Sequence, residues 1–166
     1  ALAEYGAALQ SYEKAVQLQP NHALAYNNLG NTYKALEKPL EALQCYEKAL
    51  EINPGLADPW YNRGILLGDV GQEHEGVFSC DKALAINPQL ARARWARTFL
   101  QIPQIEGFDE DPQITRAQFT ASLEALDAWF AARGSNPNSP LGAEVGPDVV
   151  GSFQPFYLAY QAKNNR

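Results

Sequence analysis

Residues 23–56 read ALAYNNLGNTYKALEKPLEALQCYEKALEINPGL, and this stretch recurs along the chain at a spacing of 34 residues. The shift superposes prolines, alanines, an aromatic position and a glycine, namely Pro20 with Pro54 and Pro88, Ala15 with Ala49 and Ala83, Tyr26 with Trp60, and Gly30 with Gly64. Self-similarity at such a period is typical of stacked helical units, each of which buries its apolar face against its neighbour. The sequence therefore predicts an all-α solenoid.

The pattern inside this stretch predicts an antiparallel helical hairpin. Its first helix covers residues 24–36, in which Gly30 lets a neighbouring helix approach closely. Pro39 stands at the start of the second helix, residues 40–52, because the first turn of a helix does not use the N–H that proline lacks. An Asn-Pro-Gly sequence then ends this helix.

The same register divides the chain into three parts. We expect a repeat array at residues 1–90, made of a partial repeat at 1–22 and full repeats at 23–56 and 57–90, then a divergent capping hairpin at 91–132, and finally a loop and docked C-terminal segment at 133–166. An end repeat must present a different face to water, which explains the divergence of the cap. We expect the last part to lead to a missing downstream domain.

The first helix of the chain, residues 3–17, corresponds to the second helix of a hairpin. Its stripe of Ala8, Tyr12 and Ala15 lacks the partner helix that would cover it within a complete repeat. We therefore expect one uncovered side on this helix. Either a preceding helix of a longer protein or self-association through this exposed N-terminal helix would cover it.

The capping hairpin departs from the repeat in two ways. Thr98 replaces the small glycine, and Pro103 breaks the first helix early. A long amphipathic helix then covers residues 113–132 and places four large apolar side chains on one face: Phe119, Leu123, Leu126 and Phe130.

Charge and composition exclude several classes of function. The net charge of -6 argues against a nucleic-acid partner, because phosphate binding requires a concentrated basic face. No apolar run approaches the roughly 20 residues that cross a bilayer, so we expect no membrane partner and a soluble, cytoplasmic protein. Cys45 and Cys80 stand at apolar helix positions without a metal-ligand spacing, and we expect buried thiols in a reducing compartment.

No catalytic constellation, metal site or cofactor site is predicted. His22 and His74 lie in turns and have no nucleophile at a repeat-consistent position. The acidic turn at residues 106–111 lacks the alternating oxygen ligands and glycine of a calcium loop. We expect Arg92, Arg94 and Arg97 to pair with this turn, a structural use that we favour over phosphate binding.

The repeated positions, W/Y followed by L, G and Y and then by A, Y/F, A and P, resemble the tetratricopeptide repeat over residues 1–90. The departures are Arg63, where the preceding unit has Leu29, and Gly76, where it has Ala42. The resemblance implies a right-handed superhelix of antiparallel hairpins that binds protein or an extended peptide.

In stacked hairpins the first helix of each pair lines the concave groove. The candidate peptide-binding residues are therefore on these helices: Asn27, Asn28, Asn31, Tyr61, Asn62, Ile65, Arg92 and Trp95. Asn28 and Asn62 are related by one repeat, and Ala96 occupies the third position. A carboxamide offers a donor and an acceptor, so such a row can hold a peptide backbone. Alternatively, these asparagines form hydrogen bonds between adjacent helices.

This asparagine row resembles the inner ladder of O-linked N-acetylglucosamine transferases. The strings RARWAR at residues 92–97 and GSFQPFYLAYQAKNNR at residues 151–166 resemble the junction between repeats and catalytic domain in bacterial SPINDLY-type members of that family. The resemblance implies that this chain is the non-catalytic, partner-recognising segment of a glycosyltransferase whose catalytic domain begins after Arg166. The alternative is a free-standing adaptor without an enzymatic domain.

A co-chaperone-like adaptor would grip a C-terminal carboxylate with lysine, asparagine and arginine side chains. The residues in the corresponding register are Asn27, Asn31, Asn62, Arg92 and Ala96. Two cationic groups of such a clamp are missing, so a carboxylate would lose much of its charge-assisted binding. The sequence therefore favours recognition of a peptide backbone over recognition of a charged tail.

Overall fold

The computed structural model describes residues 2–101 and 112–134. Within these ranges the chain forms seven α-helices and no strand, so the predicted all-α class is confirmed. The helices are α1 (Leu2–Leu18), α2 (Ala23–Ala35), α3 (Pro39–Ile52), α4 (Ala57–Asp69), α5 (Glu73–Ile86), α6 (Ala91–Phe99) and α7 (Pro112–Gly134). The acidic turn and almost all of the predicted C-terminal segment lie outside the described residues.

The helices pack in chain order. The tightest pairs are α2 with α3 and α4 with α5, which are the two complete hairpins. Each hairpin then packs on the next one, through α1 against α2, α3 against α4, and α5 against α6. Helix α7, the last described helix, packs on α6. Because each helix contacts mainly its sequence neighbours, the fold is a one-dimensional stack.

The turns inside the two hairpins each contain one residue with a left-handed backbone conformation. Glu37 and Gly71, one period apart, adopt left-handed conformations with φ of 57° and 79°. Glycine adopts this conformation without strain, whereas an L side chain such as that of Glu37 rarely does. Pro39 then lies in the first turn of α3, as predicted.

The turns between hairpins are held by side-chain caps. Asn53 Oδ1 accepts a hydrogen bond from the Gly55 N–H at 3.0 Å, and Asn87 repeats this bond with the Gln89 N–H at 3.0 Å. His22 Nδ1 accepts from the Ala25 N–H at 2.9 Å and so caps α2. The sequence pattern placed His22 in a turn but did not reveal this capping role.

Within each hairpin, glycine allows the helices to touch. A Cβ on Gly30 would lie 2.6 Å from the Tyr46 ring, so the close approach predicted for Gly30 is confirmed. In the next hairpin a Cβ on Gly64 would lie 2.9 Å from the Gly76 carbonyl oxygen and 2.9 Å from Cys80 Sγ. Gly76 occupies the position that Ala42 has in the preceding repeat. Its missing side chain lets the backbones of α4 and α5 come into contact at this point.

The core consists of small and aromatic residues at the predicted repeat positions. Ala42, Tyr46 and Ala49 of α3 are fully buried, as are Cys80 and Ala83 of α5. Both cysteines are free, and both are buried as predicted. Burial raises the pKa of the Cys45 thiol to about 11 and that of the Cys80 thiol to about 12. The two thiols are therefore protonated, unreactive core groups at neutral pH.

The equivalent stripe on α1 is less covered. Ala8, Tyr12 and Ala15 are half-buried, whereas their counterparts on α3 are fully buried. The difference agrees with the expectation that one side of α1 is open. Self-association through this helix remains a prediction.

Helix α7 carries its apolar face as predicted. Phe119 and Leu126 are buried, and Leu123 and Phe130 are half-buried. Phe119 meets Phe99 of α6 edge to face, with ring centroids 6.2 Å apart. Ser122 adds a hydrogen bond of 2.8 Å between its hydroxyl and a side-chain oxygen of Gln101.

The glycine contacts predict a paired result for two glycine-to-alanine changes. Gly64→Ala should lower the free energy of unfolding by about 1–3 kcal/mol, because the new methyl group meets a backbone carbonyl that cannot move aside. Gly6→Ala is the matched control, since a Cβ on Gly6 of α1 would meet nothing within 4 Å. It should be neutral or stabilising by about 0.5–1 kcal/mol. Urea unfolding followed by circular dichroism measures both, and equal effects would contradict a packing role for Gly64.

Candidate functional site

The first helices of successive hairpins lie next to one another. Helix α2 contacts α4, and α4 contacts α6, whereas α1, α3 and α5 do not pack on one another to the same degree. A stack curves toward the side on which its units are closer together. We call the surface formed by α2, α4 and α6 the inner face, and all of the candidate binding residues belong to these three helices.

Two asparagines join α2 to α4 across the inner face. Asn62 Nδ2 donates to Asn27 Oδ1 at 2.9 Å, and Asn27 is buried. Asn27 Nδ2 in turn lies 3.5 Å from Asn28 Oδ1. Of Asn28 and Asn62, for which an interhelical role was the alternative, Asn62 makes such a bond and Asn28 does not. The partner of Asn62 is Asn27, a buried amide that requires one.

Asn31 is tied to the second helix of its own hairpin. The hydroxyl of Tyr46, whose ring is fully buried, donates to Asn31 Oδ1 at 2.8 Å. Burial raises the pKa of Tyr46, which keeps its hydroxyl protonated as a donor. The bond orients the Asn31 amide, so its NH2 group is the part left for a ligand.

Three amide groups at the α2–α4 end of the inner face have no hydrogen-bond partner among the described residues. They are the NH2 groups of Asn28 and Asn31 and the Oδ1 of Asn62. Asn28 and Asn62 are half-buried and Asn31 is exposed, so solvent reaches all three side chains. We call this region the amide end. It offers both donors and an acceptor to a bound molecule.

The α4–α6 end of the inner face is aromatic instead. The Arg92 guanidinium lies 4.8 Å from the centre of the Tyr61 ring, and its Nη2 lies 2.5 Å from Asp58 Oδ1. One turn further along α6, the Trp95 and Phe99 rings are tilted against each other with centroids 4.7 Å apart. We call Tyr61, Arg92, Trp95 and Phe99 the aromatic end.

Two of the candidate residues serve mainly the core. Tyr61 and Ile65 are half-buried and pack against the cluster formed by Cys80, Ala96 and Leu100. Burial raises the pKa of Tyr61, and the neighbouring Arg92 partly opposes this effect. Only a part of each side chain is therefore available at the inner face.

Two ion pairs join the helices of the inner face, and only Arg92 of their four residues is among the candidate residues. Lys34 Nζ lies 2.8 Å from Asp69 Oδ2 and joins α2 to α4, just as Asp58 and Arg92 join α4 to α6. The Asp58–Arg92 pair could have been predicted from the sequence, because the two residues are separated by one period of 34 residues. Opposite charges in equivalent positions of adjacent repeats meet when the repeats stack.

A second set of polar contacts repeats between hairpins, away from the inner-face pairs. Glu13, Glu47 and Asp81 are spaced one period apart, and each contacts the first helix of the next unit. Glu13 accepts a hydrogen bond from Tyr33 and Asp81 accepts one from Arg97, while Glu47 forms an ion pair with Arg63. The Tyr33 hydroxyl lies 3.0 Å from Glu13, and Arg63 lies 3.5 Å from Glu47. We call these contacts the carboxylate struts.

The struts explain the repeat departure at Arg63. Arg63 Nη1 donates to the fully buried Ser79 hydroxyl at 2.7 Å as well as facing Glu47. A leucine at this position, as in the preceding unit, would leave that hydroxyl without this donor. Arg63 is therefore a structural replacement rather than a defect in the repeat.

The arginines of α6 have partners among the described residues that were not predicted from the sequence. Arg92 pairs with Asp58 and Arg97 with Asp81, both in preceding helices, while the acidic turn lies outside the described residues. Arg94 donates to the Pro88 carbonyl at 3.2 Å and stacks over the Trp129 ring at 4.9 Å. Pairing of these arginines with the acidic turn stays a prediction.

Within residues 2–101 and 112–134, no group of histidine, cysteine and carboxylate side chains is arranged to hold a metal ion. No helix in the same ranges combines the length and the apolar character that a membrane span requires.

The asparagine contacts predict different costs for neighbouring residues. Asn27→Ala should lower the free energy of unfolding by about 1–3 kcal/mol, because it leaves Asn62 Nδ2 without its acceptor in a part-buried site. Asn28→Ala should change it by less than about 0.5 kcal/mol, since Asn28 makes no cross-helix bond and its contact with Asn27 Nδ2 is a long one of 3.5 Å. Thermal unfolding of the two variants checks this, and an equal loss would show that Asn28 is also structural.

Three tetratricopeptide-repeat profiles match the chain. Two are described as tetratricopeptide repeats and match residues 23–56 and 45–77, and a third, described as a TPR repeat, matches residues 2–37. A search of curated protein sequences finds no match.

Solved structures with a similar fold include MamA, at 18% identity and a TM-score of 0.67, covering 80% of this chain and 68% of that one. MamA from Desulfovibrio magneticus RS-1 matches at 22% identity and a TM-score of 0.58, covering 74% and 67%. A mutant O-GlcNAc transferase from Thermobaculum terrenum matches at 22% identity and a TM-score of 0.59, covering 72% of this chain. The match spans only 23% of that transferase.

These likenesses show the fold, and the repeat profiles show the repeat type of residues 2–77. The hairpins, their glycine contacts and the matches across residues 2–77 agree with one another. Residues 2–77 therefore consist of tetratricopeptide repeats, and this repeat type makes that part of the chain a protein-interaction scaffold.

Proposed function

We propose that the inner face binds an extended segment of a partner protein, and that the amide end holds its backbone. The observation that supports this is the set of unpaired amide groups on Asn28, Asn31 and Asn62. A peptide backbone presents N–H and C=O groups in every residue, and carboxamides satisfy both kinds. Binding of this type tolerates many side-chain sequences.

Two of these amides are oriented before any partner arrives. Tyr46 holds Asn31, and Asn27 holds Asn62. A side chain that is already fixed loses little conformational entropy on binding. The amide end is therefore preorganised for hydrogen bonding, with Asn28 as its adjustable member.

The charges of the inner face favour an uncharged segment over an acidic tail. Lys34 and Arg92 are already engaged by Asp69 and Asp58 respectively. A second carboxylate beside Arg92 would be repelled by Asp58. These ion pairs therefore support backbone recognition over the carboxylate clamp of co-chaperone-like adaptors.

For the larger context, we propose that the chain is the partner-recognising segment of a SPINDLY-like O-linked glycosyltransferase. The support is the resemblance of residues 92–97 and 151–166 to the junction of such proteins, together with a fold shared with part of an O-GlcNAc transferase. The second candidate is a free-standing adaptor. Buried free thiols agree with a reducing, cytoplasmic location for either one.

The backbone-binding proposal predicts the behaviour of Asn28→Ala on a peptide array. Binding should weaken about tenfold across many array peptides alike, because the lost group contacts backbone rather than a side chain. Gln44→Ala on the exposed side of α3 is the matched control and should bind as the unaltered protein does. Unchanged binding by Asn28→Ala, or loss confined to a single peptide sequence, would overturn the proposal.

The glycosyltransferase context predicts a further domain downstream of Arg166 in the native gene. This domain should be of the α/β class and bind a sugar nucleotide, and the full gene product should transfer N-acetylglucosamine to peptides that this segment binds. A stop codon soon after Arg166 would contradict this context and favour the adaptor. Sequencing the gene and assaying its purified product with labelled sugar nucleotide decides between them.

A further inference from the structure

The aromatic end differs in chemistry from the amide end, although both belong to the inner face. Arg92, Trp95 and Phe99 follow one another at intervals of three and four residues on α6, so they share one helix face. Tyr61 of α4 lies under Arg92. Ala96 stands where Asn28 and Asn62 stand in the earlier units, so the amide row stops at this end.

Two donors at the aromatic end are buried without an acceptor among the described residues. They are Nε of Arg92 and Nε1 of Trp95. Buried N–H groups in folded proteins nearly always have an acceptor, so each such exception requires an explanation. The two side chains are neighbours on one helix face, which indicates a common explanation.

We propose that the aromatic end binds an uncharged, proline-containing segment of the partner in polyproline II conformation, an inference that rests on the proposed peptide-binding function of the inner face. Tyr61, Trp95 and Phe99 are half-buried, so each keeps some exposure to solvent. Grooves lined by aromatic rings are the usual binding sites of polyproline II segments.

The hydrogen-bonding groups of such a segment complement this end. Proline has a carbonyl acceptor but no N–H donor, so a proline-containing segment presents mainly acceptors. The aromatic end contains the two buried, unpaired donors, and its carboxylate, Asp58, is paired with Arg92. A carbonyl oxygen is also uncharged, so it approaches Arg92 without strong repulsion from Asp58.

Binding includes a small movement of the Trp95 side chain. The indole nitrogen is covered in the free protein, so its N–H reaches a partner carbonyl only after the ring turns toward the groove. The ring contact with Phe99 is a tilted arrangement, with 32° between the ring planes. The polyproline II helix costs little entropy to bind, because its conformation is largely formed in the free peptide.

The test monitors the tryptophan indole signals in proton–nitrogen correlation spectra of the labelled protein. The chain has 3 tryptophans, and the Trp95 signal is identified by its loss in Trp95→Phe. The probe is a capped peptide of about 12 residues with a repeating Pro-Pro-Ala sequence, long enough for about four turns of polyproline II helix. The comparison peptides replace alanine by glutamate, or the whole sequence by alternating glycine and serine.

The proline peptide should move the Trp95 indole signal downfield in a saturable way. The Trp60 indole already donates to the Pro54 carbonyl at 3.0 Å, so its signal should stay in place. Trp95→Phe should weaken binding about tenfold. Phe78→Leu, at an exposed aromatic position on α5, is the matched control and should leave binding unchanged.

Three results would overturn the proposal: an unmoved Trp95 signal, equal binding of the glycine–serine peptide, or stronger binding of the glutamate peptide. The last would assign the site to an acidic partner segment. Each of these results can occur while Asn28→Ala still weakens binding to the array peptides. Failure here is therefore distinguishable from failure of the proposed function, which the peptide array tests separately.

Discussion

The stack depends on the close approach of the two helices inside each hairpin. A side chain on Gly30 would enter the ring of Tyr46, and one on Gly64 would enter the carbonyl of Gly76. Only glycine permits this separation, and the separation in turn buries Tyr46 and Cys80 completely. Because every later contact is built on the face of a hairpin, these glycines determine the position of the carboxylate struts and of the inner face.

Contacts between hairpins obey the same period as the hairpins themselves. Acidic side chains one period apart form the carboxylate struts, while Asp58 meets Arg92 one unit further on across the inner face. Exposed ion pairs of this kind each contribute little to stability. Their use is geometric, since contacts at several points of each junction leave little freedom in the angle between hairpins. The inner face consequently has a defined shape before a partner binds.

The inner face has two chemistries because one wall is built from three different helices. Asn28, Asn31 and Asn62 provide donors and an acceptor at the amide end, whereas Tyr61, Trp95 and Phe99 provide aromatic surface at the other. The ion pairs Lys34–Asp69 and Arg92–Asp58 neutralise their own charges on the inner face, whereas the chain as a whole carries a net charge of -6. A partner segment that is uncharged and extended matches both ends at once.

The period and its glycines, prolines and alanines determined the helices, their order and the core, because packing similar units leaves few solutions. They also placed the candidate residues on the first helices. Only the tertiary structure separated Asn27, buried against Asn62, from Asn28, which has no bond to another helix. Adjacent residues of one helix point in different directions. The position of α4 therefore determines that Asn27, and not Asn28, forms the stabilising bond between the helices. The partners of Arg92 and Arg97 were likewise decided by stacking, since these side chains reach the preceding hairpin.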